Sequence, residues 1–233
     1  MNSEIIKESL QQLSETISYK YPALGWYFSS ENIENSFVFK KDEWVCMCMY
    51  LKMMTKSRKR MQFSEDFGNA CTGPAEYCGL CELTDDDGQF ISETDRVKKN
   101  RKLARQYYQE SLKSIHSPKE KYLYVEPIDV IDNNRTIEVI NLFPDLKGLA
   151  SLVVLSNYDR ENNFDNIITP FASGCQSLFS TPYNEQFQKK PKSVIGLMDP
   201  QARLFIPEDM VSFSLPSNRF IEMSNNVKGS FLD

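Results

Sequence analysis

The chain has 233 residues, 41% of them hydrophobic and 25% charged, with a formal net charge of -5 at pH 7. That is the make-up of an ordinary globular protein, long enough to bury a sizeable core, and its acidic balance argues against a general nucleic-acid binder. The polar opening carries no signal-peptide pattern and no run of about 18 apolar residues offers a membrane span, so the expected compartment is the cytoplasm.

Cytoplasmic cysteines stay reduced, so the six present here imply burial, ligation or redox work rather than structural disulfides. Residues 3–17 place Ile5, Ile6, Leu10, Leu13 and Ile17 at helical spacing, which predicts an amphipathic opening helix that ends before Tyr21-Pro22. Residues 23–28 read as an aromatic-rich strand. Residues 44–55 are a dense apolar run whose length favours a buried helix, with methionines as soft core filling rather than a copper box. On such a helix Cys46 and Cys48 diverge by roughly 200°, so at most one faces a common site. A basic turn at 56–60 leads into a strand at 61–63.

The densest chemistry lies at residues 67–81, which hold three of the six cysteines and three of the nine glycines. Gly73-Pro74 reads as a turn into a helix, with Pro74 in the first position and Thr72 or Gly73 as the cap. Cys71 then sits just before a helix N-terminus, where free N–H groups and the helix dipole favour a thiolate. A helix continuing to about Leu83 puts Cys78 and Cys81 on one stripe, which Cys71 approaches from the preceding turn. Three readings stay open. Clustered thiolates ligate zinc or an iron–sulfur centre, given a fourth ligand from Cys46, Cys48 or Cys175. Cys78 and Cys81 form a redox pair. Or the thiols are small buried hydrophobes.

The acidic turn at 84–88 lacks the later ligands of a calcium loop. Residues 92–114 read as one long charged helix opened by Ser92, with a basic first half that is a solvated face or a patch for an anion. His116 is the single histidine, so no multi-histidine metal site exists. Strands follow at 122–125 and 136–142, then a helix at 145–155 and a short strand at 167–168. Residues 171–178 repeat the flavour of the earlier stretch: small residues, then Cys175 near a helix start. The remainder reads as a strand at 193–198, a turn or short helix at 199–203, strands at 204–206 and 211–214, and a helix from Pro216. The tail after Ser224 is polar and expected to fray.

Five pieces between Pro22 and Met223 carry a family likeness. They are Cys46 or Cys48 at the apolar run, Cys71-Thr72-Gly73 with Gly79-Leu80, Glu138-Val139-Ile140, the small-residue turn with Cys175, and residues 196–203 joined to the run at 210–216. In their order they resemble the uncharacterised ArCR family of prokaryotic proteins, domain of unknown function 169. The resemblance implies a fold and a set of positions, not a reaction. Pro74 and Cys78 depart from it, and Cys78 and Cys81 read as local additions, which leaves Cys71 and Cys175 as the thiols that match.

The expected fold class is α+β, a mixed or antiparallel sheet packed against helices, with two similar lobes as one arrangement of it. Residues 1–233 form a single domain, with residues 1–20 and 224–233 peripheral. The expected site is a metal centre, iron–sulfur or zinc, on Cys71, Cys78 and Cys81, with Cys175 as the fourth ligand. The alternative is a non-catalytic module that takes an anionic small molecule through Arg203 and backbone N–H groups near Gly73 and Gly174. Arg203 otherwise pairs with Asp199, four residues earlier. A thiol enzyme with Cys71 as nucleophile is the third reading.

Overall fold

A computed structural model of the chain describes residues 1–38, 46–64, 78–80, 88–112, 118–171 and 174–233. The Gly73-Pro74 helix start, Cys71, Cys81, residues 84–87 of the acidic turn and His116 lie outside the described residues.

Side chains along a strand alternate between faces, and in β1 (Tyr19–Ser29) both faces are apolar. Leu24 and Trp26 go to one hydrophobic cluster, Ala23 and Tyr27 to another. A strand apolar on both faces belongs in the middle of a sheet. Accordingly β1 pairs antiparallel with β3 (Tyr122–Pro127) on one side and β4 (Val139–Pro144) on the other. Trp26 stands opposite Val125 and Val139. With β2 (Met61–Phe63), β5 (Ile167–Ile168), β6 (Ser193–Gly196) and β7 (Ser212–Pro216), the order is β2-β3-β1-β4-β7-β6-β5. Of these strand pairs only β5 and β6 run parallel, so the described strands make one mixed sheet. With its helices this is the expected α+β class.

One face of the sheet, here the lower, is covered by α1 (Ser3–Ser14), α4 (Leu146–Tyr158) and α7 (Ser217–Asn225). Asn2 caps α1 by accepting the Glu4 N–H at 2.8 Å, and Asp145 caps α4 by accepting the Gly148 N–H at 2.6 Å. Ile6 and Leu13 of α1 are fully buried, and Val227 joins the same cluster. The opening helix and the tail thus contribute to this core rather than lying outside it. The upper face is covered by α2 (Met49–Ser57), the segment 174–185 and the loops around Leu197 and Met210.

Three sequence expectations are corrected here. In the apolar run at 44–55 the described residues become helical at Met49, because residues 46–48 form a tighter turn in which the Met49 N–H reaches the Cys46 carbonyl at 2.9 Å. The charged helix at 92–114 is broken. A π-helical turn, Phe90–Thr94, gives way to a bend with Arg96 at φ 54, and α3 (Arg101–Leu112) starts afresh with Asn100 accepting the Leu103 N–H at 3.0 Å. Residues 204–206 are turn, not strand, closed locally by the Phe205 N–H on the Ala202 carbonyl at 3.0 Å. Among the described residues no helix is long and apolar enough to cross a membrane.

The lower layer holds two buried charged side chains: Glu126, which accepts from the Tyr27 hydroxyl at 2.6 Å and from Arg60 at 2.9 Å, and Arg219. Arg219 of α7 is fully buried and grips both oxygens of Asp159, each at 2.8 Å. It also donates to Glu222 at 2.9 Å and to the Ser156 carbonyl at 2.9 Å, tying α7 to the end of α4. The hydrogen bond from Arg219 holds the Asp159 carboxyl below its ordinary range against the opposing effect of partial burial. A depressed carboxyl contributes stability above the unfolded-state pKa of about 3.9 and loses it as pH falls through the folded value. Denaturant melts of the native protein are expected to weaken steadily below about pH 5. Asp159→Asn is expected to start weaker at neutral pH and to show a shallower acid slope; equal slopes would remove this contact from the acid response.

Candidate functional site

The site on the upper face rests on one amide. Asn141 projects from β4 and is fully buried. Its Oδ1 accepts from Trp26 Nε1 at 2.5 Å, and its Nδ2 donates to the Leu178 carbonyl at 2.8 Å and to Ser214 Oγ at 2.9 Å. The contact to Leu178 fastens the segment above the sheet. That segment begins helically at Gly174 and Cys175, widens into a π-helical turn, Gln176–Ser180, and closes as α5 (Thr181–Glu185). Every residue of the π-helical turn is buried, and such widened turns recur at functional sites.

Ser177 extends the connection. Its Oγ donates to the Gly174 carbonyl at 2.8 Å and accepts the Leu197 N–H at 3.2 Å. Leu197 is fully buried at φ 66, a left-handed conformation that costs a non-glycine residue about 1–3 kcal/mol. The strained turn sends the chain on to Asp199, whose Oδ2 accepts the Gly174 N–H at 3.3 Å. An internal carboxylate therefore sits at the N–H that the sequence offers to an anion.

The thiols meet this framework from α2. Cys48 is fully buried in the upper cluster, and half-buried Cys46 packs against that cluster. Hydrogen bonding from Cys48 lowers the Cys46 pKa despite burial and the Asp199 charge. The same bond, together with full burial and the charges of Cys46, Cys175 and Asp199, pushes the Cys48 thiol well up. Cys48 lies against Gly174: a Cβ there would stand 2.4 Å from its Sγ. Only glycine fits beneath that sulfur.

Tyr50, the second residue of α2, is fully buried and its hydroxyl has no hydrogen-bond partner. Burial first, then the charges of Cys48, Cys78, Cys175 and Cys46, push its pKa well up. The phenol thus stands in the electrostatic reach of all four described cysteines. No disulfide joins any two of them.

Cys78 and Cys175 fall in one buried cluster with Cys48, while Cys71 and Cys81 lie outside the described residues. The expected helix through Leu83 fails at residues 78–80, which form a turn with Gly79 at φ 72. A right-handed helix cannot pass through that angle, so the shared stripe for Cys78 and Cys81 has no helix to carry it there. Among the described residues no three His, Cys, Asp or Glu side chains are arranged to hold a metal ion. Arg203, on α6 (Pro200–Arg203), donates Nη1 to the Met210 carbonyl at 2.5 Å and Nη2 to the Glu208 carbonyl, closing the loop that follows it. The rim near the thiols is acidic on one side: burial first and then the Asp199 charge push the Asp95 carboxyl up. Three residues on, the Lys98 ammonium lies 4.2 Å from the Phe171 ring centre.

Sequence reasoning misses Asn141, Tyr50 and the Cys46–Cys48 contact. The first two carry no local signal, since an asparagine in a strand and a tyrosine in a helix become special only once buried. The third is legible as C-x-C spacing, but the helical backbone expected for it is not the one that forms.

Two substitutions test this geometry. Asn141→Ala orphans the Trp26 N–H and the Leu178 carbonyl, and is expected to lower stability by about 3 kcal/mol, a fall of roughly 6–12 °C in Tm. Gly174→Ala drives a methyl into Cys48 Sγ. It is expected to cost about 1–3 kcal/mol and to slow alkylation of Cys46 near neutral pH, because displaced Cys48 no longer supports the Cys46 thiolate; an unchanged alkylation rate would separate the two thiols.

The model of the uncharacterised ArCR family, domain of unknown function 169, matches residues 12–226. Neither a curated protein nor a solved structure matches the chain. The matched span takes in α2, the sheet and the segment 174–185 with their thiols, and the chain belongs to the uncharacterised ArCR family.

Proposed function

We propose that residues 1–233 work as one cytosolic domain whose thiol-lined upper face holds a metal centre, an iron–sulfur cluster or zinc, for redox or sensing. Cys71, Cys78, Cys81 and Cys175 are its ligands. The observation that carries this reading is convergence: Cys78 and Cys175 are remote in sequence yet share one buried cluster with Cys48, around a tyrosine hydroxyl that lacks a partner. Thiolates are the natural ligands of both centres, and a bound cation compensates the thiolate charge that burial otherwise penalises. Asp199, whose charge reaches Cys46 and Cys48, adds negative potential at the rim, which suits a cation better than an anion.

Anaerobic purification followed by a visible spectrum and analysis for iron, zinc and acid-labile sulfide tests the proposal. Stoichiometric metal is expected, and it is expected to fall away in Cys78→Ser and in Cys175→Ser. Metal-free protein whose Tm ignores both added zinc and chelator overturns it. The competing reading is a module for an anionic small molecule at Arg203, and one observation favours it: the Gly174 N–H already accommodates a carboxylate oxygen. That reading predicts a rise in Tm with inorganic phosphate and none with metal, and loss of the phosphate response in Arg203→Gln.

A further inference from the structure

The composition of α4 does not suit a helix on a protein surface. Its 13 residues carry one charged side chain, Lys147. Leu152 and Leu155 are buried against the sheet in the lower cluster. The opposite side is apolar too: Leu146 is 81% exposed, Val154 and Tyr158 each 51%, and Ala150 is exposed between them. These four stand four residues apart and form one row along the helix. The neighbouring α1 instead turns Glu4, Glu8, Gln11 and Gln12 to solvent. A helix that is apolar all round belongs inside a core, and an exposed apolar row of this kind marks a contact surface.

We propose that this row seats a second copy of the chain, with α4 packed antiparallel on the partner's α4 about a two-fold axis beside Leu152. The row is self-complementary. Leu152 is its midpoint, so an antiparallel copy sets Leu146 against the partner's Tyr158 and Ala150 against the partner's Val154, and each contact recurs across the axis. The smallest side chain then lies where the two backbones come closest. The bulky ones lie at the ends, where crossing helices diverge and leave more space. Rows of four-residue spacing that interdigitate in this way are the commonest mode of helix packing.

Charge sets the direction. At the N-terminal end of α4 Lys147 is exposed, whereas the Asp145 carboxylate is turned to the Ser18 hydroxyl at 2.8 Å and the Gly148 N–H at 2.6 Å. At the C-terminal end the cations face inward and the carboxylates outward. The side chains of Arg219 and Arg160 are 0% and 10% exposed, against 30% for Asp159 and 48% for Glu222. An antiparallel copy brings each Lys147 to the partner's acidic end and opposes the two helix dipoles, while a parallel copy brings like ends together. The Tyr158 hydroxyl donates to the Gly229 carbonyl at 2.7 Å, so the tail with its exposed Phe231 borders the row and widens the apolar surface. The contact lies on the opposite face of the sheet from the thiols and leaves them uncovered.

Sedimentation of the full chain across the micromolar range, under reducing conditions, tests the pairing. The native chain is expected to run as a dimer of 27.0 kDa chains. Val154→Glu sets two carboxylates close to the axis, and Ala150→Lys two ammonium groups. Each variant is expected to weaken the dimer at least about tenfold and to keep the native circular dichroism, since both positions are exposed. Mixed in equal amounts, the two variants are expected to pair again, because the introduced carboxylate and ammonium then face each other across the axis. Leu146→Gln, at a position that the core does not use, is expected to weaken the native dimer and serves if either charged variant misfolds. A native chain that stays monomeric overturns the proposal, as does a dimer that folded Val154→Glu or Leu146→Gln leaves intact. Folded variants that lose the dimer but do not recover it on mixing overturn the antiparallel arrangement.

Discussion

The upper face is organised by the hydrogen bonds of Asn141. A buried amide in low dielectric must be satisfied or it costs more than it returns. Here two neighbouring strands and one helical turn supply the partners: Trp26 from β1, Ser214 from β7, and the Leu178 carbonyl. Satisfying one side chain therefore sets where the segment 174–180 sits above the sheet. The rest follows by contact. Ser177 is placed to hold Leu197, Leu197 turns the chain toward Asp199, and Asp199 caps the Gly174 N–H over which Cys48 lies.

The two faces of the sheet are built on different terms. The lower face is mostly apolar packing between strands and three helices, and its buried charges are partnered: Arg219 by two carboxylates and a carbonyl, Glu126 by Arg60 and the Tyr27 hydroxyl. The upper face gathers features that simple packing does not need: a π-helical turn, a left-handed leucine and four thiols. Each is unfavourable alone, and together they sit within one cluster. Strain and unmet polar groups persist where the surrounding structure holds them in place and where function uses them.

Much of the fold is legible along the chain. The opening helix, the Asp145 cap, the strands of the sheet and the last helix after Pro216 all follow from periodicity and punctuation. The failures share a cause. The charged stretch at 92–114 is continuous in composition, yet Arg96 takes a left-handed angle and Asn100 restarts the helix. The apolar run before Leu51 has no breaker, yet Cys46 to Cys48 close into a tighter turn. Residues 204–206 have strand-like composition, but Arg203 ties the following carbonyls into a loop instead. Composition and period report the average preference of a window, and a single backbone angle or side-chain bond overrides that average.

By itself the sequence determined what is local: which residues alternate, which recur every turn, where thiols are dense, and that the chain resembles the ArCR family. It determined neither which thiols meet nor what lies between them. Cys48 lies against Gly174, next to Cys175, because Asn141, from another strand, fixes the height of a segment far along the chain. Such meetings depend on long-range packing that satisfies buried polar groups, and no window of the sequence contains both partners. Only the tertiary structure decided them.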